Sequence, residues 1–390
     1  MIEQHSADTV FVNSADTMID PKNPFQNPTE EREYTPDYTA VVPQIAIPGC
    51  RIPLFPSKRE ITAIRRYFTM AGLLLFLDFV LASGIANCCY VLATLLLRLV
   101  DSAALNGTLP GNYAEIVTAY LNDSSIMMAS NLLGFLISNV TVFLMGCKFT
   151  KLSPMSFFQD QNLRIPTLLR YVAIGLFIQF VMGYVANQIE FFFSEAGHPL
   201  PTPDFTTGTS QTKLLVTVLY SCFVAPITEE LVFRGVFMKN MSRVSQRFGI
   251  FVSAFFFALA HQNLAQGLLA FFLGILLGYI TIKHRSLVPA IFVHFVVNVT
   301  STVFTYLAEI APDSSDKLFA LVSVIVIVLG AIMLLYTCLT ERLPDTTPFQ
   351  SIRCGKAAIG ALGLWVAVFL HISMIFLNTI IAKFNEALSF

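Results

Sequence analysis

The sequence contains few charged residues for its length. Asp, Glu, Lys and Arg make up 13% of the 390 residues, whereas hydrophobic residues make up 55%. Ordinary soluble domains have roughly 25% charged residues. A chain with so little polar surface could not remove enough of its apolar side chains from water. The composition therefore excludes an ordinary soluble protein.

Basic clusters and paired cysteines are also missing. The net charge is −1, and no basic cluster with interleaved aromatic residues occurs, which excludes a nucleic-acid partner. The seven cysteines have no CxxC spacing and most of them lie in apolar runs. Such cysteines are typical of packing within a membrane core rather than of disulfides or cysteine metal sites.

Apolar runs recur along most of the chain and predict an all-α polytopic membrane protein. A helix needs about 17–25 apolar residues to cross a ~30 Å hydrocarbon layer. The predicted spans are 68–97, 125–147, 167–189, 213–238, 248–261, 264–282, 287–307, 318–339 and 357–382. The fifth span is short and runs into the polar stretch "HQNLAQG", which at that depth requires surrounding protein or a water-filled cavity.

The two ends of the chain differ in character. Residues 1–60 are polar and Pro-rich, carry no cleavable signal peptide, and predict a disordered cytoplasmic tail. Residues 61–390 form the predicted transmembrane domain, with its functional core at about 125–310. With the amino terminus inside, the predicted outer segments hold few basic residues: Arg98, Lys213, Lys317 and Lys383. The positive-inside rule therefore predicts a multi-pass protein of the cell membrane with its carboxy terminus outside.

The fourth predicted span contains three charged residues in the stretch "ITEELVFRG". A charged residue at a helix centre disfavours membrane insertion by about 2.5–3.5 kcal/mol, whereas one Leu, Ile, Phe or Val favours insertion by only about 0.3–0.6 kcal/mol. Glu230 and Arg234 are spaced i, i+4, so a helix brings them together as an ion pair. Glu229 lies about 100° around the helix from Glu230. The two carboxylates therefore need not share a role, and the cost of burying them indicates a functional site.

Histidines in other predicted spans extend this site. If spans four and five form an antiparallel hairpin around the turn "RVSQRFG", Glu229 and His261 lie at the same depth. His294 and Asn298 are spaced i, i+4 and share one face of span seven. His371 stands alone and is interpreted as a core residue. Spans four, five and seven thus supply two carboxylates, an arginine, two imidazoles and an amide to one buried site.

Three motifs carry these residues: "EELVFR" at 229–234, "FALAH" at 257–261 and "HFVVN" at 294–298. Together they resemble the signature of the CAAX-protease and bacteriocin-processing family of intramembrane proteases, of the CAAX prenyl endopeptidase type. The resemblance covers about residues 213–300. It implies peptide-bond hydrolysis within the membrane, at an active site enclosed by the about nine predicted transmembrane helices. The motifs HExxH, GxSxG and GxGD, which mark other protease classes, are absent.

The resemblance also implies roles for the motif residues. Glu229 would activate water with the assistance of His261, and His294 and Asn298 would act near the substrate carbonyl. Glu230, the fifth catalytic residue, and its structural ion-pair partner Arg234 would order the site.

Two mechanisms stay open at this point. In the first, Glu229, His261 and His294 bind a divalent metal such as zinc, which lowers the pKa of a bound water to about 7. In the second, Glu229 and His261 deprotonate water without a metal, while His294 and Asn298 form an oxyanion hole.

The predicted function is an intramembrane endopeptidase acting on a prenylated, leader-type or membrane-embedded peptide. Its expected partners are that peptide or membrane-protein substrate and the lipid bilayer. One alternative is a non-catalytic membrane immunity or scaffold protein of the same fold. Another is a proton-coupled transporter, which the lack of an internal repeat disfavours.

Overall fold

A computed structural model describes residues 58–106, 125–158, 163–197, 200, 211–242, 245–341 and 352–388. These residues form helices and no strands. The helices are α1 (Lys58–Leu105), α2 (Ser125–Thr150), α3 (Ile165–Glu195), α4 (Gln211–Met241), α5 (Gln246–Ala260), α6 (Leu264–His284), α7 (Val288–Ile310), α8 (Pro312–Thr340), α9 (Ile352–Ile359) and α10 (Leu362–Leu388). A short 3₁₀ helix, Pro154–Phe158, follows α2. The all-α prediction is confirmed.

Within the described residues, eight helices are long and apolar enough to cross a membrane: α1, α2, α3, α4, α6, α7, α8 and α10. The chain is therefore a polytopic membrane protein. The predicted fifth span corresponds to α5, which has only 15 residues and is not among these eight helices. At 1.5 Å per residue it is about 22 Å long, which is shorter than the ~30 Å hydrocarbon core. The predicted tail, 1–60, lies almost entirely outside the described residues.

One half of the fold is built on α1, which packs along α2 and α10. The helices α1 and α10 approach most closely where Gly72 faces Gly363, and a Cβ at either position would overlap the opposing backbone. In the same half, Phe143 of α2 and Phe237 of α4 lie in a core cluster with Phe68 of α1. Residues of α1 and α2 are therefore closely packed against one side of α4.

The other half contains α3, α6, α7 and α8. Tyr171, Leu277 and Val293, on α3, α6 and α7, are fully buried in a second core cluster. At one end of this half, the Glu341 carboxylate accepts hydrogen bonds from Arg170 and Tyr279. Helix α4 contacts both halves, because it packs against α2 on one side and against α5 and α7 on the other.

Candidate active site

Helix α4 contains two π-helical stretches, Leu219–Val224 and Leu231–Met238. They flank the six-residue α-helical stretch Ala225–Glu230, which ends on the two glutamates. A π-helical stretch replaces the i→i+4 hydrogen bonds by i→i+5 bonds and is frequent at functional sites. The chain therefore departs from regular α-helix on both sides of the glutamates.

Side chains of neighbouring helices bind carbonyl groups of these π-helical stretches. The Asn298 amide nitrogen, on α7, donates to the Ser221 carbonyl at 2.7 Å. The Ser253 hydroxyl, on α5, donates to the Phe233 carbonyl at 2.9 Å. Since an unpaired buried carbonyl is costly, above all in a membrane, these contacts stabilise the irregular helix and hold α5 and α7 against it.

Glu230, Arg234 and His294 form a buried charged cluster. The Arg234 Nη1 donates to Glu230 Oε1 at 2.8 Å, and both side chains have no exposed surface. The His294 Nδ1 lies 3.0 Å from the same Glu230 oxygen. A carboxylate oxygen only accepts, so Nδ1 carries a proton and the tautomer of the imidazole is fixed. The predicted ion pair is present, and it also orients a histidine of another helix.

Glu229 points away from this ion pair, as the helix geometry predicts. Its Oε2 lies 3.8 Å from His294 Nε2, and its side chain keeps 21% of its surface exposed. The imidazole nearest to Glu229 is therefore that of His294. Among the described residues, no hydrogen bond or ion pair joins Glu229 to His261, which was the predicted assistant.

Phe257 organises the histidines of the site. Its ring is fully buried, and the Arg234 guanidinium lies over it at 4.3 Å from the ring centroid. The imidazoles of His261 and His294 stand edge-on to the same ring, at 4.9 and 5.8 Å between centroids. The sequence analysis assigns no separate role to Phe257, although this residue opens the second motif. Its position four residues before a histidine was the available signal.

His261 lies in the turn between α5 and α6. Its Nδ1 is 2.8 Å from the Phe257 carbonyl, so Nδ1 donates and a neutral ring carries its lone pair on Nε2. The next residue, Gln262, has a positive φ of 56°, and Asn263 caps α6 by accepting from the Gln266 amide. This turn ends the short helix α5 beside the site.

The predicted metal ligands are Glu229, His261 and His294. Within the residues that the structure describes, no group of three His, Cys, Asp or Glu side chains is placed so that it could hold a metal ion. A zinc site needs three or four ligands at about 2.0–2.2 Å from the ion. Of the predicted set, Glu229 and His294 lie together, with Oε2 and Nε2 3.8 Å apart. The chemistry below is derived from the side chains alone.

An apolar groove lies between α4 and α7 and has a volume of about 340 Å³. This volume is within the range of about 300–1,000 Å³ typical of small-molecule sites. The groove adjoins the site in sequence, since Ile227 is two residues from Glu229 and Phe295 follows His294. Its lining is apolar: Phe158, Cys222, Phe223, Pro226, Ile227, Val288, Ile291, Phe292 and Phe295.

Comparison with known proteins identifies the segment that carries the site. Residues 211–300 match the profile of the family described as type II CAAX prenyl endopeptidase Rce1-like. The match runs from the start of α4 into α7 and includes all three motifs. Neither the curated proteins nor the solved structures gave a match. Residues 211–300 are therefore similar to the Rce1-like family, as the resemblance of the three motifs indicates.

Proposed function

We propose that this membrane protein is an intramembrane endopeptidase that hydrolyses a peptide bond of a prenylated peptide. The observation that carries the proposal is the Glu229 carboxylate beside His294, with Glu230 and Arg234 buried behind them. A free carboxylate next to an imidazole of fixed tautomer is an arrangement that activates water. The family match supports a protease of the CAAX type.

Glu229 is the general base in the proposed reaction. It takes one proton from water while the water oxygen attacks the carbonyl carbon of the scissile bond. It then returns that proton to the leaving nitrogen as the C–N bond breaks, so that no proton is gained or lost by the enzyme. His294 orients the water through Nε2, because Glu230 holds its Nδ1.

Asn298 and His261 have supporting roles in this proposal. The Asn298 amide nitrogen has two hydrogens, and the Ser221 carbonyl uses one of them. The second is available to polarise the scissile carbonyl, which is the role of an oxyanion-hole donor. His261, whose ring contacts the same Phe257 ring as His294, offers Nε2 as a further proton acceptor.

The apolar groove between α4 and α7 supports a prenylated substrate. Its lining contains aromatic and aliphatic side chains, and burial of apolar surface contributes about 25 cal/mol per Å². An isoprenoid chain in the groove would hold the adjoining peptide near Glu229. The substrate would then reach the site from within the lipid bilayer.

The substrate class can be tested with the purified protein in lipid nanodiscs. The probe is an internally quenched peptide that ends in a farnesylated Cys-aliphatic-aliphatic-Met sequence, and its matched control is the same peptide without the farnesyl group. We expect hydrolysis of the farnesylated probe, with products whose summed mass exceeds that of the probe by one water, and much slower hydrolysis of the control. Equal rates would contradict a prenyl-binding groove. No hydrolysis above empty nanodiscs would contradict the proposed function.

We also propose that the amino terminus is cytoplasmic and the carboxy terminus lies outside the cell membrane. The distribution of Lys and Arg among the loops supports this orientation. The orientation requires that the chain crosses between α4 and α6 through the short helix α5. Protease treatment of intact cells should remove an epitope tag at the carboxy terminus and spare one at the amino terminus. Protection of both tags would contradict the orientation.

A further inference from the structure

A second polar network lies beside the proposed active site and has no role in the reaction described above. It begins at Asp78, a half-buried carboxylate within α1. The Ser138 hydroxyl, on α2, lies 2.5 Å from Asp78 Oδ1 and 2.6 Å from the Asp78 carbonyl oxygen. The network therefore joins α1 to α2 within the segments that cross the membrane.

Asn139 extends the network from α2 to α4. Its amide is assigned with the nitrogen toward Asp78, because the opposite assignment would set the amide oxygen against two carboxylate oxygens. The nitrogen then donates to both Asp78 oxygens at 3.1 Å, and the amide oxygen accepts from the Thr228 hydroxyl at 2.7 Å. The chain of hydrogen bonds thus runs from Asp78 through Asn139 to Thr228.

Thr228 is the residue immediately before Glu229. It lies in the short α-helical stretch Ala225–Glu230, between the two π-helical stretches of α4. Because the regular i→i+4 ladder is interrupted on both sides, this stretch needs contacts from outside the helix to fix its rotation. The network supplies one on the α2 side, and the hydrogen bond between Glu230 and His294 supplies one on the α7 side.

The network is buried at a depth where polar groups are expensive. Ser138, Asn139 and Thr228 are 0%, 4% and 2% exposed. Polar groups within membrane spans are rare unless they serve a function. The contact between Asp78 and Ser138 is sufficient to join α1 to α2. A purely structural role therefore does not explain why Asn139 and Thr228 are buried in the same network.

We propose that Asp78 is a positioning residue for Glu229, acting through Asn139 and Thr228. The network fixes the rotation of the Ala225–Glu230 stretch, so that the Glu229 carboxylate faces His294 and the water that it activates. This inference rests on the proposed function, since it assigns Asp78 to the same hydrolytic site.

The first test removes the link to α4 without changing its shape. Thr228→Val is isosteric but lacks the hydroxyl, and Thr228→Ser is the matched control that keeps it. With the farnesylated probe, we expect Thr228→Val to lower kcat by roughly 10- to 100-fold, the range that a misplacement of about 1 Å can cause. KM and the melting temperature should stay near their wild-type values, and Thr228→Ser should keep most of the activity. A purely structural role would lower the melting temperature instead.

The second test uses the charge of the network and does not depend on the behaviour of Thr228→Val. Asn139→Asp sets two carboxylates against each other and should lower kcat. Adding Asp78→Asn restores a carboxylate and an amide in exchanged positions, and Ser138 and Thr228 can still donate to them. We therefore expect the double variant to recover most of the lost kcat. Wild-type kcat in Asn139→Asp, or no recovery in a folded double variant, would overturn the inference.

Glu229→Gln in the same assay separates the two claims. If Glu229→Gln cleaves the probe as fast as the wild type, the proposed function fails. If Glu229→Gln is inactive while Thr228→Val and Asn139→Asp keep wild-type kcat, the proposed function stands and the positioning role of Asp78 is wrong.

Discussion

At the scale of single residues, the two adjacent glutamates occupy different environments. Glu230 has no exposed surface and binds both Arg234 and His294, whereas Glu229 keeps 21% of its side chain exposed. Beyond these contacts, the Arg234 Nε and Nη2 atoms are buried without a hydrogen-bond partner among the described residues. The guanidinium therefore depends strongly on Glu230 and on the ring of Phe257.

We expect Arg234→Gln to destabilise the protein severely. Removing one partner of a buried ion pair leaves an uncompensated charge and costs about 3–5 kcal/mol. Arg66, an exposed arginine of α1, provides the matched control, and Arg66→Gln should have little effect. Thermal unfolding in detergent micelles measures both variants. Equal melting temperatures for the two would show that the buried pair contributes no stability.

At the scale of elements, the irregularity of α4 is supported by donors from the helices packed against it. The Ser253 hydroxyl, on α5, binds the Phe233 carbonyl, and the Asn298 amide, on α7, binds that of Ser221. These hydrogen bonds link the shape of α4 to the positions of α5 and α7. The three motif-bearing helices are thus coupled through backbone groups as well as through the charged cluster.

Ser253→Ala tests this support. The substitution leaves the buried Phe233 carbonyl without its donor, and an unsatisfied buried acceptor costs about 1–3 kcal/mol. Ser323→Ala is the control. The Ser323 hydroxyl donates to the Ala320 carbonyl of its own helix, α8. We expect a lower melting temperature for Ser253→Ala alone. An unchanged value would mean that the carbonyl finds another partner.

The contact between α1 and α10 depends on glycine. A Cβ at Gly72 would overlap the backbone of Gly363, whereas a Cβ at Gly84, on the same helix, would meet nothing within 4 Å. Overpacking typically costs about 1–3 kcal/mol, while an open helical Gly→Ala change gains up to about 1 kcal/mol. We therefore expect Gly72→Ala to lower the melting temperature and Gly84→Ala to keep or raise it. The opposite order would contradict the close approach.

At the scale of the whole molecule, the helices α3, α6 and α8 are joined around the Glu341 carboxylate. Arg170 and Tyr279 bind it, and Lys283 Nζ lies 4.0 Å from it. Burial raises the pKa of the Glu341 carboxyl, but the hydrogen bond from Tyr279 and the charges of Arg170 and Lys283 outweigh burial. The pKa therefore lies below its ordinary value, and folding favours the carboxylate.

This lowered pKa gives the stability a defined pH dependence. The contribution of Glu341 is complete above the ordinary pKa of about 4.3 and is lost as the pH falls through the lowered value. Glu341→Gln should therefore lower the melting temperature at pH 7, and its difference from the wild type should shrink below about pH 4. The exposed Glu195 provides the control, as Glu195→Gln. A difference in melting temperature that is constant with pH would show that the charge of Glu341 does not contribute to stability.

Much of this architecture is predictable from the sequence, because single helices leave clear patterns. Apolar runs indicate the long helices, and i, i+4 spacing predicts the bond between Glu230 and Arg234. The contact of the Phe233 and Phe257 rings agrees with the predicted hairpin of α4 and α5. The fifth predicted span, 248–261, agrees with α5 to within two residues at each end, but α5 is shorter than the hydrocarbon core is thick.

Contacts between helices were harder to predict. Periodicity places a residue on a face of its own helix but does not tell which residue of another helix meets it. For this reason the sequence paired Glu229 with His261, although the structure sets His294 beside it. The π-helical stretches of α4 also leave no sequence pattern. The hydrogen bond from the Asn298 amide to the Ser221 carbonyl was therefore not predicted.

The central claim is that Glu229 activates the water that cleaves the peptide bond. The most direct measurement is the single-turnover rate of hydrolysis of the farnesylated probe by wild type and by Glu229→Gln, in nanodiscs and with matched melting temperatures. Loss of a general base predicts a rate lower by roughly 10²- to 10⁴-fold in Glu229→Gln, with wild-type rates in the exposed control Glu195→Gln. A folded Glu229→Gln protein that hydrolyses the probe at the wild-type rate would contradict the account.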